Sequence, residues 1–321
     1  MKNCYYRGRF APSPTGRLHF GSLVAAVSSY LCARAASGEW LVRIEDVDPA
    51  REVAGAADDI LRTLAGLGLE WDAPVLYQSA RQEAYAAALD ALHRRGLTYP
   101  CGCARRDWAE GSGQGIYPGT CRNGLPAGRE PRAWRVKVAD EPIIFQDAVQ
   151  GTVSQNLAGA VGDFVVRRAD GWVAYQLAVV VDDAYQGMTD VVRGADLLDS
   201  TPRQIYLQGQ LGLPTPRYLH VPVAVNALGQ KLSKQTLAAP VDGADGVAVL
   251  MDVLRFLGHA PPAGLRHAGL AVFWRWAVSH WNPARIPRLA MIGTSGSRLG
   301  PCTEAPCGRP VGQPEAIERL D

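Results

Sequence analysis

The sequence contains no run of roughly 18 consecutive apolar residues, the length that a membrane-spanning helix requires, so no spanning segment is expected. Arg7 and Arg9 precede no apolar signal stretch, which predicts a cytoplasmic protein without a membrane partner. Charge of neither sign dominates: 33 Lys and Arg against 31 Asp and Glu leave a formal +2. That balance neither demands nor excludes nucleic acid, and a basic patch has to be local to matter. Seven cysteines in 321 residues are too few and too unevenly placed for a disulfide framework in such a chain. Three of them cluster, which points to a metal. What the sequence does have is apolar residues, 47% of the total, enough for a substantial core in one large domain or two modest ones.

The stretch from Arg9 to Asp48 organises the rest. It reads R-F-A-P-S-P-T-G-R-L-H-F-G-S-L, then an Ala-rich run, then L-V-R-I-E-D-V-D. Pro12, Pro14 and Gly16 force a turn, and Leu18–Arg34 carries helix formers with Leu23, Val27 and Leu31 four apart. A helix that starts from a turn offers free backbone N–H groups and a positive dipole end, a ready phosphate site. His19 and Ser22 sit in that first turn, and Gly21 lets a ligand approach the backbone. Trp40–Ile44 is a short apolar strand that ends in Glu45, Asp46 and Asp48. Strand, helix, strand is the βαβ unit, whose sheets bind ligands at the carboxyl ends of their strands. Arg9 and Glu45 then border one crevice and suit a zwitterion that carries an additional carboxylate. The plainer alternative is an ordinary βαβ unit with a surface Arg and a capping Glu.

Beyond Asp48, Pro49 is expected to open a helix with Val53, Ile60, Leu64 and Leu67 on one face, and Arg81–Arg95 a second that ends at Gly96. Residues 101–140 read as an insertion. Cys101 and Cys103 are two residues apart, and Tyr117 and Cys121 follow across a Gly-rich loop. Three thiols in this arrangement suit one zinc ion; buried reduced thiols are the alternative. The insertion also holds Arg105, Arg106, Arg122, Arg129, Arg132, Arg135 and Lys137 against four acids, a basic surface for an RNA backbone or simply a solvated one. From residue 160 strand patterns return: D-F-V-V-R-R, a turn at Asp170-Gly171, then W-V-A-Y-Q-L-A-V-V-V-D-D as a buried central strand that contains Tyr175 and Gln176. Thr189–Arg193 is a strand with Arg193 at the ligand edge. Pro202–Leu211 is a helix, and Tyr218–Val225 a strand.

Lys231-Leu-Ser-Lys234-Gln then places two lysines and a serine on a loop, suited to a triphosphate because Lys is a point charge that follows phosphate motion. Residues 243–291 are helical, and within 251–291 Arg255, Arg266, Arg275, Arg285 and Arg288 face Asp252 alone. From Gly293 onward periodicity is lost and a disordered tail over 292–321 is expected, with Cys302 and Cys307 assigned no site.

P-S-P-T-G-R-L-H-F-G-S-L resembles the HIGH signature of class I aminoacyl-tRNA synthetases in the form of the glutamyl and glutaminyl branch. R-I-E-D-V-D resembles that branch's R-I-E-D-T-D, and K-L-S-K-Q its KMSKS signature. The resemblance covers roughly residues 5–290. It implies an α/β fold: a Rossmann-type parallel-sheet catalytic core, a zinc-bearing insertion and a C-terminal helical subdomain. The expected partition is 1–100 and 141–242 for the two catalytic halves, 101–140 for the insertion and 243–291 for the helical part. The short region after Lys234 and the C-x-C…Y-x-x-x-C pattern resemble the glutamyl-queuosine tRNA(Asp) synthetase family. That family activates L-glutamate with ATP without tRNA and transfers it to the queuosine base in the anticodon loop of tRNA(Asp).

The resemblance further implies that Arg9, Phe10, Ala11, Pro12, Ser13, Glu45, Tyr175 and Arg193 bind glutamate. Two Arg neutralise two carboxylates and Glu45 holds the ammonium. His19, Gly21, Ser22 and Lys234 would bind ATP, with His19, Lys231 and Lys234 acting on the phosphates and Mg2+ accompanying the nucleotide. Cys101, Cys103, Tyr117 and Cys121 would hold one structural zinc. Phe20, Val47, Leu232 and Gln235 depart mildly from the signatures. Three alternatives remain: a discriminating glutamyl-tRNA synthetase charging a tRNA 3′ end, with anticodon recognition supplied by another protein; an adenylyltransferase outside the synthetases; and a non-catalytic RNA-binding paralogue. The R-I-E-D-V-D string and the two lysines argue against the second, and intact His19, Lys231 and Lys234 against the third.

Overall fold

The computed structural model describes residues 5–104, 107, 116–226, 228–232 and 246–294. Strands follow in chain order as β1 (Arg7–Phe10), β2 (Glu39–Ile44), β3 (Leu76–Tyr77), β4 (Thr98–Cys101), β5 (Ala133–Val136), β6 (Pro142–Asp147), β7 (Gly151–Asn156), β8 (Phe164–Arg167), β9 (Asp190–Gly194), β10 (Arg217–Val221), β11 (Val223–Val225) and β12 (Met291–Gly293). The parallel set β1-β2-β3 lies beside the set β7-β6-β10-β9, in which β9, β10 and β6 are also parallel. The two sets meet where the Thr189 N–H donates to the Arg7 carbonyl over 3.0 Å. The chain therefore leaves β1 to one side for β2 and returns on the other side as β9. Such a topological switch point opens a crevice at the carboxyl ends of the strands, where doubly wound sheets bind ligands.

The helix Phe20–Ala35 starts where His19, in extended backbone, accepts the Ser22 N–H at its ring Nδ1. That side-chain cap satisfies one of the free donors of the first turn. The helix is buried on nearly every side, from Leu23 and Val24 to Leu31 and Ala33, because it lies between the sheet and two later helices. Gly246–Phe256 and Leu270–His280 pack on it so closely that Leu250, Leu254, Phe273 and Trp274 share one core with Phe10, Trp40 and Val42. A second core, around Leu92, Val136, Val166 and Leu177, lies under the antiparallel sheet β4-β5-β8.

Several expectations are corrected. The apolar run after Trp172 is no strand: Tyr175–Tyr185 is a helix, buried on several faces so that no 3.6-residue period shows. The helix expected from Pro49 starts at Ala56, after Gly55 in the left-handed region at φ 77°, a conformation that glycine adopts readily. Tyr218–Val225 splits into β10 and β11 at Pro222, which cannot donate to a ladder. Ile292 and Gly293, placed in the tail by the sequence pattern, instead pair as strand with Ala224 and Val225. Residues 295–321, with Cys302 and Cys307, lie outside the described residues. No described helix is long and apolar enough to cross a membrane.

Candidate active site

A cavity of about 640 Å³ opens at the switch point. Arg9, Phe10, Ala11, Pro12 and Ser13 line it from the end of β1, Glu45 from the end of β2 and Arg193 from β9. His19, Gly21 and Ser22 line it from the helix start, Tyr175 from the helix that replaces the expected strand, and Lys231 from the far rim. Lys234 lies outside the described residues.

The charges at the cavity floor hold one another in place. Asp183 accepts from Arg9 Nε at 3.1 Å and from Arg43 Nη1 at 2.8 Å, and Arg43 Nη2 reaches Glu45 at 3.2 Å. Arg9 is 3% exposed and Arg43 0%, so these ions have left water and depend on one another. Burial works against the Asp183 carboxylate, but Arg9 and Arg43 outweigh it and hold the group below its ordinary range. The balance reverses at Glu45: burial raises its carboxyl despite Arg43 and Arg9. A further cation, such as an ammonium group, would therefore be welcome beside Glu45.

Arg193, on β9 beside β1, is held by a different set of partners. Its Nε donates to His220 Nε2 at 3.0 Å and its Nη2 to the Thr201 hydroxyl at 2.8 Å. Its Nη1 is buried and finds no partner among the described residues. At the helix start His19 Nε2 lies 3.0 Å from the Ser22 hydroxyl. Gly21 is crowded as well as open to the cavity: a Cβ there would meet the His19 ring and the Leu232 carbonyl, each at 3.3 Å. The first signature thus touches the lysine-bearing loop. Lys231 Nζ is 2.5 Å from Asp196, itself a lining residue.

Arg43, Asp183, Thr201, Asp196 and His220 are absent from the sequence-based set. Alternation along E-W-L-V-R-I would send Arg43 outward, and Asp183 sat at the end of an apparent strand. His220 and Thr201 carry no local signal at all, because only the pairing of β9 with β10 brings them to Arg193.

The cysteine cluster forms away from the cavity, on β4 and the loop that follows. The Sγ atoms of Cys101, Cys103 and Cys121 all lie within 4.8 Å of one another. Cys103 Sγ is 3.6 Å from Cys121 Sγ, and the Tyr117 hydroxyl is 3.3 Å from Cys101 Sγ and 3.8 Å from Cys103 Sγ. Tetrahedral zinc at usual bond lengths separates two sulfurs by about 3.8 Å and a sulfur from an oxygen by about 3.5 Å, so the donor set fits. Arg135 supplies positive charge, its Nε 3.3 Å from Cys101 Sγ and its guanidinium 3.6 Å from the Tyr117 ring centre. Burial opposes the Cys101 thiolate, but the Tyr117 hydroxyl, the Cys103 backbone and Arg135 outweigh it and lower the thiol. Tyr117 is fixed in turn by Gly162, at φ 70°, where a Cβ would sit 2.3 Å from the Tyr117 carbonyl.

The basic content of 101–140 is partly used internally. Arg122 pairs with Asp163, Arg129 with Asp107 at 2.6 Å, and Arg135 with the cluster. Arg132 is exposed, and Arg105 and Arg106 lie outside the described residues. In 251–291, Arg266, Arg275, Arg285 and Arg288 are exposed, while Arg255 pairs with Asp252.

Residues 6–257 match the family profile "tRNA synthetases class I (E and Q), catalytic domain". The chain is 58% identical over 296 residues to the glutamyl-Q tRNA(Asp) synthetase of Dechloromonas aromatica, covering 90% of this chain and 98% of that one. Against the protein of the same name from Aromatoleum aromaticum, identity is 54% over 305 residues, 94% of this chain and 96% of the relative. Among solved structures, glutamate-tRNA synthetase from Elizabethkingia anophelis superposes with a TM-score of 0.75 at 25% identity, over 91% of this chain and 68% of that one.

Proposed function

The chain belongs to the glutamyl and glutaminyl class I tRNA synthetases, and on that premise we propose that it activates L-glutamate with ATP and passes it to queuosine in the anticodon of tRNA(Asp). The observation that carries the first step is the charge pattern of one cavity: Glu45, Arg9 and Arg193 at the ends of the neighbouring strands β2, β1 and β9, and a capped helix start at His19 and Ser22. Glutamate presents two carboxylates and one ammonium, the complement of two guanidiniums and one carboxylate. The second step rests on relatives with that name that match nearly end to end.

In activation, a glutamate α-carboxylate oxygen attacks the α-phosphorus of ATP. A new P–O bond forms, the bond to the β-phosphate bridge breaks, and pyrophosphate leaves. No protein nucleophile is needed. The helix start and His19 suit the developing negative charge on the phosphates, and Lys231 and Lys234 suit the leaving pyrophosphate, with Mg2+ accompanying the nucleotide. Lys231 must then exchange Asp196 for phosphate. In transfer, a hydroxyl oxygen of the queuosine ring attacks the acyl carbon, AMP leaves, and the hydroxyl proton is released. The exposed Arg132, Arg266, Arg275, Arg285 and Arg288 suit the phosphates of the anticodon stem, so binding weakens as salt rises.

We assign residues 1–100 and 141–242 to catalysis, 101–140 to the metal and 243–291 to support of the core and RNA contact. The reading is of a cytoplasmic enzyme with no membrane partner. Labelled glutamate is expected to enter tRNA(Asp) that carries queuosine and not the same tRNA without it, and glutamate alone is expected to support ATP–pyrophosphate exchange. Label at the 3′ end of tRNA(Glu), with none on tRNA(Asp), would overturn the assignment.

The cysteine cluster is proposed to hold zinc, as a closed structural site that takes no part in the chemistry. Elemental analysis is expected to find about one zinc per chain, with loss on Cys101→Ser or Cys121→Ser and a smaller loss on Tyr117→Phe. Freshly purified protein without zinc would refute the site.

A further inference from the structure

Three neighbouring strands each contribute one polar side chain to a buried row. Asp147 ends β6, His220 lies on β10 and Arg193 lies on β9, directly paired with His220 in the β10–β9 register. His220 Nδ1 is 2.6 Å from Asp147 Oδ2, and His220 Nε2 is 3.0 Å from Arg193 Nε. Exposure is 0% at His220 and 5% at Arg193, so each contact lies out of water and is geometrically demanding.

The donors fix the proton inventory. A guanidinium N–H only donates, so His220 Nε2 has to accept from Arg193. The ring proton is then on Nδ1, and Asp147 Oδ2 accepts it. Burial first, and then the Arg193 charge, lower the His220 pKa despite Asp147, in keeping with a neutral ring. Asp147 is itself immobile: its Oδ1 accepts the N–H groups of Val149 at 3.0 Å, Gln150 at 2.8 Å and His220 at 3.2 Å. Thr201 holds the Nη2 edge of Arg193. Nε and Nη2 are thereby committed, and Nη1, buried and without a hydrogen-bond partner among the described residues, is the donor left over on a side chain that lines the cavity.

We propose that Asp147 and His220 are positioning residues that select one imidazole tautomer and thereby aim the Arg193 guanidinium at a carboxylate of the amino-acid substrate. The proposal rests on the glutamate reading above and adds what makes the pocket's second cation directional. Neither residue touches substrate.

Asp147→Asn tests it with nearly unchanged shape. The three backbone donors at Oδ1 require an acceptor, so the asparagine oxygen takes that place and its NH2 faces His220 Nδ1. The ring must then accept at Nδ1 and carry its proton on Nε2, where it opposes the Arg193 Nε–H and can turn only to the Thr201 hydroxyl, 3.2 Å away, which already accepts from Arg193 Nη2. The expected result is a KM for glutamate raised roughly ten- to hundred-fold, the loss of one hydrogen bond to a charged group. The KM for ATP and kcat in pyrophosphate exchange should stay close to wild type. Nitrogen-15 spectra should show His220 protonated at Nδ1 in the wild type and at Nε2 in the variant. His220→Gln, which can still offer an oxygen to Arg193, should retain more glutamate affinity than His220→Leu.

A switched tautomer with an unchanged glutamate KM would overturn the relay. So would a wild-type ring protonated at Nε2, or equal rises in both KM values, which indicate a general structural role. A wild-type protein with no glutamate-dependent exchange, but with tautomers as described, would instead overturn the glutamate reading.

Discussion

Arg193→Ala is expected to lower kcat/KM for glutamate in pyrophosphate exchange by roughly a hundred- to a thousand-fold, the usual cost of truncating one partner of a buried, hydrogen-bonded charge pair. Arg193 is fixed by His220 and Thr201 before any substrate arrives, so little ordering entropy opposes its contact with a carboxylate. Truncation removes the charge and leaves the His220 acceptor without its donor. Arg193→Lys should recover only part of the loss, because an ammonium cannot keep His220, Thr201 and a substrate oxygen in one plane. Steady-state exchange with glutamate and ATP varied in turn checks this. A variant within about threefold of wild type, well under the 1.4 kcal/mol that makes a tenfold change, would remove Arg193 from the substrate site.

Asp183→Ala is expected to destabilise the protein by about 3–5 kcal/mol, the range for removing one partner of a buried ion cluster. Arg9 and Arg43 would remain buried with Glu45 as their nearby carboxylate, and the Glu45 carboxyl is already raised by burial. Asp183→Asn should fall between wild type and Ala, since its amide oxygen can still accept from one guanidinium. The pH dependence has a definite sign. Asp183 is held below its unfolded value, so its contribution is complete above about pH 4, the unfolded Asp range, and is lost as pH falls through the lower folded value. Urea midpoints at neutral pH and at pH 3 should therefore differ more for wild type than for Asp183→Ala. Equal midpoints for the two proteins at neutral pH would contradict the cluster's role.

Much of the site was legible because its chemistry is carried by short, contiguous strings. Arg9–Ser13, His19–Ser22 and Glu45 lie on one strand–helix–strand unit, where local turn chemistry and helix start fix the side chains together. The resemblance pointed to Tyr175, which lines the cavity, yet its element was misread. V-A-Y-Q-L-A-V-V-V-D-D has no visible helical period because Leu177 and Val180 pack in the second core while Asp182 and Asp183 are buried in ion and hydrogen-bond clusters. Burial on many sides erases the pattern from which a helix is recognised. The supporting residues were illegible for a related reason. Asp147, Thr201, His220 and Arg193 are joined by pairing between strands far apart in sequence, and a lone His in an apolar strand gives no hint of its neighbours. The hairpin β6–β7 that presents Asp147 also went unread, its strands alternating between half-buried and exposed positions.

The pairing of β11 with β12 has a consequence for the order in which the protein can be made. Val223–Val225 leads directly to the loop that bears Lys231, and Thr294 fastens it further by donating to the Val225 carbonyl from both its N–H and its hydroxyl. On the ribosome, β11 emerges well before its mate. The helices Gly246–Phe256 and Leu270–His280, which complete the core beneath β1 and β2, must also be translated first. The nascent β11 therefore waits with an open strand edge until the last described strand arrives. Premature termination ahead of Met291 would leave that edge available to other chains.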